Sequence, residues 1–220
     1  MPMGDMQPSA QPVLTLDSAQ DEIDLIRAAQ RGRLDAFNAL VLAYQGQVYG
    51  LAYRIMGDRD AAADATQEAF ISAFRGIVSF RGGSFRSWLL RIVANACYDE
   101  LRRRQRRPTT SWEEFGEVDE EANPALTDER EAPWEYAERR ELEQVIQAGI
   151  RTLPPDQRVT LVLSDVQGLS YQEIASTMRV SVGTVKSRLA RARGKLRDFL
   201  RAQGELLPAQ YRLETEGSGK

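Results

Sequence analysis

The stretch GLSYQEIASTMRVSVGTVKSRLARARGKL, residues 168–196, predicts two helices joined by a tight turn. Ser170 and Glu173 have the S-x-x-E spacing of a capping box, so we expect a short helix from Tyr171 to Met178. Ser181 is a residue type preferred at N-caps and is expected to begin a second, longer helix. A short helix, a tight turn and a longer basic helix form the helix-turn-helix layout.

The longer predicted helix, residues 182–200, has an apolar side and a basic side. Its apolar residues recur at steps of three and four and are expected to be buried: Val182, Val185, Leu189, Ala192, Leu196 and Phe199. The residues predicted to face base edges in a major groove are Lys186, Ser187, Ala190 and Arg191. The residues predicted to contact phosphates are Ser181, Thr184, Arg188, Arg193 and Lys195. The alternative is a solvated basic helix without a ligand, but the two caps, the turn and the small residues favour binding to duplex DNA.

Helical periodicity also dominates the N-terminal half of the chain. Apolar residues at helical spacing over 37–55 predict one long helix that ends at Gly57. Asp60 is expected to be the N-cap of the next helix, over 61–74, and a glycine-bearing loop leads to a third helix over about 84–107. No β-type alternation of any length occurs, so the predicted fold class is all-α.

The net charge of −3 conceals an acidic segment between two basic ones. Residues 108–135 contain ten acidic residues, one basic residue and three prolines, a composition typical of a linker. We therefore predict two helical domains joined by an acidic flexible linker, and expect the domains to move relative to each other. The predicted segments are a flexible N-terminal arm (1–22), a first domain (23–107), the linker (108–135), a helix-turn-helix domain (136–203) and a flexible tail (204–220).

Two further patterns in the first domain indicate binding surfaces. Aromatic residues interleaved with arginines are suited to unstacked bases and a single-strand backbone. This pattern consists of Phe80, Arg81, Phe85, Trp88, Arg91, Asn95, Tyr98 and Arg102. The alternative is that its aromatic residues simply belong to the core.

The helix over 61–74 is predicted to have an acidic side with an apolar edge. Its residues are Asp60, Asp64, Gln67, Glu68 and Ile71. Such a surface repels DNA, so it fits either a basic protein surface or plain exposure to solvent.

The composition excludes several classes of function. The 220 residues include no histidine and one cysteine, Cys97, which excludes a Cys/His zinc site, a catalytic histidine and an internal disulfide. We expect no metal, no cofactor and no enzymatic activity, and we expect Cys97 to be a buried packing residue. No apolar run approaches the roughly 18 residues of a membrane span, and the N-terminus lacks the features of a signal peptide. A cytoplasmic protein without membrane insertion is predicted.

Five motifs, in order along about residues 23–200, resemble those of bacterial extracytoplasmic-function (ECF) sigma factors. They are DAAADATQEAFISAF (60–74), FRGGSFRSWLLRIVANACYDELRRR (80–104), LPPDQR (153–158), GLSYQEIASTM (168–178) and VSVGTVKSRLARARGKL (180–196). The resemblance implies a protein that binds RNA polymerase core enzyme and directs it to promoter DNA. It also implies control by an anti-sigma factor, as in a stress response.

The resemblance further implies a role for each surface. The residues implied to bind the polymerase are Asp64, Gln67, Glu68 and Ile71. The residues implied to bind the melted minus-ten strand are Phe80, Arg81, Ser84, Phe85, Trp88, Arg91, Asn95 and Arg102. The residues implied to read the minus-thirty-five element are Lys186, Ser187, Ala190 and Arg191. A classical helix-turn-helix repressor or activator and a purely protein-binding adaptor are the alternatives.

Overall fold

The computed structural model describes residues 19–106 and 133–203, and these ranges form helices and short connections without any strand. The helices are α1 (Ala19–Gln30), α2 (Leu34–Met56), α3 (Arg59–Gly76), α4 (Phe85–Arg106), α5 (Pro133–Arg151), α6 (Pro155–Leu161), α7 (Tyr171–Met178) and α8 (Val182–Ala202). A 3-10 turn, Ile77–Ser79, follows α3, and a π turn, Val162–Val166, follows α6. The all-α prediction is confirmed.

In the first domain α2 is central and packs against α1, α3 and α4. Leu51 and Ile55 of α2 are completely buried, in the same core as the buried Leu89 and Val93 of α4. Cys97 lies in the same core, and burial raises the pKa of its thiol to about 12, which fits the predicted packing role.

The predicted boundary between the N-terminal arm and the first domain, at residue 23, falls inside α1, which begins at Ala19. Ile26 and Ala29 of α1 are buried, and the Tyr44 hydroxyl of α2 donates a hydrogen bond to the Glu22 carboxylate. Since only a short apolar stripe marks this helix, the sequence pattern did not separate it from the arm.

The N-cap of α3 is Asp58, which corrects the prediction of Asp60. Gly57 adopts a left-handed conformation (φ 73°) and ends α2, so the extended backbone needed for an N-cap falls on the next residue. The Asp58 carboxylate accepts a hydrogen bond from the backbone N–H of Ala61 at 2.7 Å. Asp60 therefore lies within the first turn of α3.

The second domain contains the predicted helix-turn-helix. The Ser170 side chain accepts from the backbone N–H of Glu173 and the Glu173 carboxylate accepts from that of Ser170, which completes the capping box. Arg179 makes the turn in a left-handed conformation (φ 53°), and Ser181 caps α8 by accepting from the N–H of Thr184 at 3.1 Å. The α8 helix ends at Ala202, close to the predicted end.

The two domains contact each other in this structure. Helices α6 and α7 of the second domain pack against α4 of the first, and α5 packs against α2. The expected motion of the two domains relative to each other stays a prediction. The predicted linker lies mostly outside the described residues, although its last three positions, 133–135, already belong to α5.

Candidate nucleic-acid and protein-binding surfaces

The α8 helix presents the predicted base-facing residues on its open side. Its apolar residues Val185, Leu189 and Ala192 are almost completely buried, which sets the orientation of the helix. The predicted base-facing residues Lys186, Ala190 and Arg191 are exposed on this helix, whereas Ser187 is half-buried. The Ser187 hydroxyl donates to the backbone carbonyl of Thr184 at 2.9 Å, and a hydroxyl oxygen in that position retains acceptor capacity.

Two arginines that are predicted to contact phosphates form ion pairs with carboxylates in this structure. Arg188 forms an ion pair with Asp156 at 3.0 Å and its side chain is only 16% exposed, so its role in this structure is to attach α8 to α6. Arg193 makes a bidentate pair with Asp165, and this arginine holds the pKa of the Asp165 carboxyl below its usual range. Lys195, the third predicted phosphate contact on this helix, is exposed.

The loop before α4 is anchored by a cluster of three aromatic rings. Phe80, Phe85 and Trp88 lie with their ring centroids 5.4–5.6 Å apart. The side chain of Gln30 in α1 donates to the carbonyl of Phe80 at 2.7 Å, which fixes where the loop begins. Phe85 is only 2% exposed, so its predicted contact with a DNA base is corrected to a core role.

The remaining residues of this predicted strand-binding surface are unevenly exposed. Arg81 and Ser84 are exposed in the loop, and Arg102 is exposed near the end of α4, where its guanidinium lies over the Tyr98 ring at 5.6 Å. Trp88, Arg91 and Asn95 are half-buried. The structure therefore divides the pattern into an open loop and a partly covered helix.

The acidic side of α3 is open, as predicted. The alanines of α3 are buried against the core, which places its other side outward; they are Ala61, Ala62, Ala65, Ala69 and Ala73. Asp64, Gln67 and Glu68 are exposed, and Ile71 is 38% exposed at the apolar edge. Phe74 and Val78 extend this edge with exposures of 43% and 73%, and the sequence pattern had not included them. We call the surface of Asp64, Gln67, Glu68 and Ile71 the acidic surface.

The comparisons with known proteins agree with these two domains. The family model for Sigma-70 region 2 matches residues 40–107, and the model for Sigma-70 region 4 matches residues 143–196. The RNA polymerase sigma-H factor of Pseudomonas aeruginosa is 42% identical over 184 residues, which cover 81% of this chain and 92% of the relative. The ECF RNA polymerase sigma-E factor of Escherichia coli K12 is 39% identical over 170 residues, which cover 77% and 88%. The chain belongs to the ECF sigma factors.

The structural comparison agrees with this assignment. The structure of CnrH in complex with the cytosolic domain of CnrY matches this sigma factor with a TM-score of 0.56 and 26% identity, over 83% of this chain and 97% of CnrH. The region 2 match spans most of α2 together with α3 and α4, and the region 4 match runs from the middle of α5 into α8. The acidic surface and the aromatic cluster of the sigma factor thus lie within region 2, and its helix-turn-helix lies within region 4.

Two polar residues at the contact between the domains, one buried and one half-buried, were given no role by the sequence analysis. Gln147 of α5 is 9% exposed and donates to the carbonyl of Arg54 at 3.2 Å. Arg158 of α6 donates to the carbonyl of Ile55 at 3.0 Å, and burial lowers the pKa of its guanidinium to about 10. Arg158 belongs to the LPPDQR motif, but the motif does not indicate that the carbonyl of Ile55 is its partner.

No helix in the described ranges is long and apolar enough to cross a membrane. Within the same ranges no group of three or more candidate side chains is arranged to hold a metal ion.

Proposed function

We propose that this sigma factor binds RNA polymerase core enzyme through the acidic surface and directs the enzyme to promoters as a non-enzymatic initiation factor. In this proposal α8 reads the minus-thirty-five element in the major groove, and the loop before α4 together with α4 itself holds the melted minus-ten strand. The observation that carries it is the exposure of Lys186, Ala190 and Arg191 opposite a buried stripe, on a helix that is capped and anchored by ion pairs.

In this proposal fewer residues contact phosphates than the sequence pattern predicted. Lys195 supplies an exposed charge, and Ser181 and Thr184 lie at the N-terminus of α8, where backbone N–H groups favour phosphate. Arg188 and Arg193 instead set the position of the helix. Strand binding is assigned to Phe80, Arg81, Ser84, Trp88, Arg91, Asn95 and Arg102, with Phe85 as their support.

The proposed segment roles follow the two domains. Residues 23–107 carry polymerase binding and minus-ten melting, and residues 136–203 carry minus-thirty-five binding. The acidic segment 108–135 connects them. Residues 1–18 and 204–220 lie outside the described ranges.

Control by a protein partner is part of the proposal. The similar protein CnrH was determined in complex with the cytosolic domain of CnrY, which supports a protein partner for this chain as well. We assign that role to an anti-sigma factor acting in the cytoplasm as part of a stress response.

The test is transcription by purified core enzyme from a pool of genomic promoter fragments, with and without this chain. We expect specific transcripts only when the chain is present, and co-purification of the chain with core enzyme. A helix-turn-helix repressor would bind duplex DNA but neither join the core enzyme nor yield transcripts. An adaptor would join the core enzyme without promoter-dependent transcripts, so either result would contradict the proposal.

A further inference from the structure

Two arginines of α8 lie on the side of the helix that is assigned to DNA. Arg193 follows Lys186 by seven residues, so the two share one side of the helix, two turns apart. Arg188 lies one turn after Thr184 and one turn before Arg191. By position along α8 alone, both arginines would contact phosphates.

Each of the two arginines pairs with an aspartate from outside the helix-turn-helix. The Nε of Arg188 lies 3.0 Å from an oxygen of Asp156 in the first turn of α6, and the Arg188 side chain is 16% exposed. Arg193 donates from Nη2 and Nε to the two oxygens of Asp165 in the π turn, at 2.6 and 2.9 Å. We call Arg188 and Arg193 the restrained arginines, because each guanidinium is directed to a carboxylate of its own domain.

The pairs reduce what the restrained arginines can offer to a phosphate. The edge of a guanidinium that carries Nε and one Nη matches a phosphate as well as a carboxylate, and in Arg193 Asp165 occupies this edge. The Nη1 atom of Arg188 is buried and makes no hydrogen bond within the described part of the chain. A phosphate therefore reaches that atom only if Arg188 leaves Asp156. Each carboxylate also cancels the positive charge that attracts DNA.

Other cations of α8 lie open beside the restrained arginines. Lys186, Arg191 and Lys195 are exposed and form no ion pair with any residue that the structure describes. The strength of sequence-independent binding rises with the number of cations that neutralise phosphates, whereas contacts to base edges carry the sequence preference. The two aspartates therefore act on the first quantity without touching the residues that determine the second.

We propose that Asp156 and Asp165 are positioning residues that limit sequence-independent binding of α8 to DNA by directing the restrained arginines away from phosphates. This inference rests on the proposed function, since it assumes that α8 enters the major groove. While both pairs are intact, a larger share of the binding comes from contacts to bases. Loss of either carboxylate releases a guanidinium that can contact a phosphate on any sequence.

The released arginine has a measurable effect on the salt dependence of binding. One additional phosphate contact adds about 0.9 unit to the salt slope. Raising the salt concentration from about 50 to about 200 mM should then weaken binding of the variant about three- to fourfold more than that of the wild type. The preference for the best duplex over a randomised one should fall, because α8 is also less firmly fixed and its base contacts lose alignment.

The test uses full-length chains that differ in the two pairs. Asp165→Asn and Asp156→Asn remove each carboxylate charge with little change of shape, and the more exposed Asp165 pair serves if Asp156→Asn does not fold. Glu141→Gln is the charge control, because it removes the same charge at an exposed position of α5. Asp165→Asn combined with Arg193→Gln removes the released arginine, and Asp165→Glu keeps the carboxylate.

Binding is measured by anisotropy of fluorescein-labelled duplexes at several salt concentrations. One duplex has a randomised sequence, and the other is the duplex that the wild-type chain enriches most from a randomised pool. We expect Asp165→Asn and Asp156→Asn to bind the randomised duplex more tightly, with a steeper salt slope and a lower preference for the enriched duplex. Glu141→Gln, Asp165→Glu and the combination with Arg193→Gln should keep the wild-type slope.

Wild-type slopes in both Asp165→Asn and Asp156→Asn would overturn the inference. A steeper slope that persists when Arg193 is also replaced, or that Glu141→Gln shares, would overturn it as well, since the effect would then come from net charge. A wild-type chain that bound neither duplex would overturn both this inference and the proposed function. Promoter-dependent transcription with core enzyme and the wild-type chain tests the proposed function alone.

Discussion

Arg193 of α8 donates two hydrogen bonds to the Asp165 carboxylate of the π turn, from Nη2 to Oδ1 at 2.6 Å and from Nε to Oδ2 at 2.9 Å. The planar guanidinium matches the carboxylate, and this geometry fixes direction as well as distance. The two side chains are 50% and 35% exposed, so we expect the pair to stabilise the fold by only about 0.2–1 kcal/mol. The main effect of this ion pair is to hold the middle of α8 against the π turn.

We predict that Asp165→Asn lowers the free energy of unfolding by this small amount at neutral pH, and that the difference shrinks in acid. The pKa of Asp165 is lower in the folded chain than in the unfolded one. The stabilisation is therefore complete above the unfolded value of about 3.9 and is lost as the pH falls through the folded value. Urea unfolding of both proteins at a series of pH values measures the difference, and a difference that does not change with pH would contradict the assignment.

Variants at Phe85 and Arg81 are predicted to affect different properties: the first the stability of the fold, the second the binding of DNA. Phe85→Ala removes a buried ring from the aromatic cluster and should cost about 3–5 kcal/mol of unfolding free energy. Arg81→Ala changes an exposed loop residue and should leave unfolding within about 0.5 kcal/mol of wild type. Urea unfolding of each variant gives these values.

The same two variants are compared in promoter melting by the polymerase complex. We expect Arg81→Ala to reduce promoter melting, because the exposed guanidinium contacts the strand. Its urea unfolding curve should be the same as that of the wild type. Any loss of promoter melting by Phe85→Ala should match the fraction of the protein that is unfolded. If Arg81→Ala melted promoters normally, the loop would not be a strand-binding site.

Local contacts explain why the helix-turn-helix could be predicted from sequence. The capping box of Ser170 and Glu173 and the cap at Ser181 involve residues three positions apart, so their spacing in the sequence is the interaction itself. The N-cap of α3 could not be chosen in this way, because Asp58 and Asp60 both fit the residue preference. The left-handed turn at Gly57 decided between them.

Long-range contacts explain what the sequence could not predict. In the sequence Phe85 fits a stacking role and a core role equally well. Only its packing between Tyr44 of α2 and the Phe80 ring shows that it belongs to the core. Likewise nothing near Arg188 in sequence indicates Asp156 as its partner. The contact between Gln147 and the end of α2 joins residues more than ninety positions apart, and no periodicity encodes it.

The acidic surface is predicted to determine affinity for core enzyme. Asp64→Lys with Glu68→Lys reverses two exposed charges on α3 without touching its buried alanines. We expect loss of core-enzyme binding, because a basic partner would now be repelled, with an unchanged helical circular dichroism signal. Binding is measured by titrating labelled chain with purified core enzyme.

The control for this change is Asp99→Lys with Glu141→Lys, which alters net charge equally at exposed positions outside the acidic surface. We expect the control to bind core enzyme as the wild type does. Equal losses of binding in both double variants would show that the effect comes from net charge. Full binding by Asp64→Lys with Glu68→Lys would show that the acidic surface is not part of the polymerase interface.

The last prediction separates base reading from phosphate contact on α8. Arg191 is exposed on the side opposite Val185 and Leu189, so Arg191→Ala should cost about 1–3 kcal/mol of binding and relax sequence preference at one position. Lys195→Ala should weaken binding evenly across sequences and lower the salt slope by about one unit. Arg193→Ala should lower that slope less, since Asp165 already neutralises its charge. Binding of each variant to duplexes with systematic base changes, at several salt concentrations, measures all three effects. An equal loss for every duplex with Arg191→Ala would show that Arg191 contacts phosphate rather than a base.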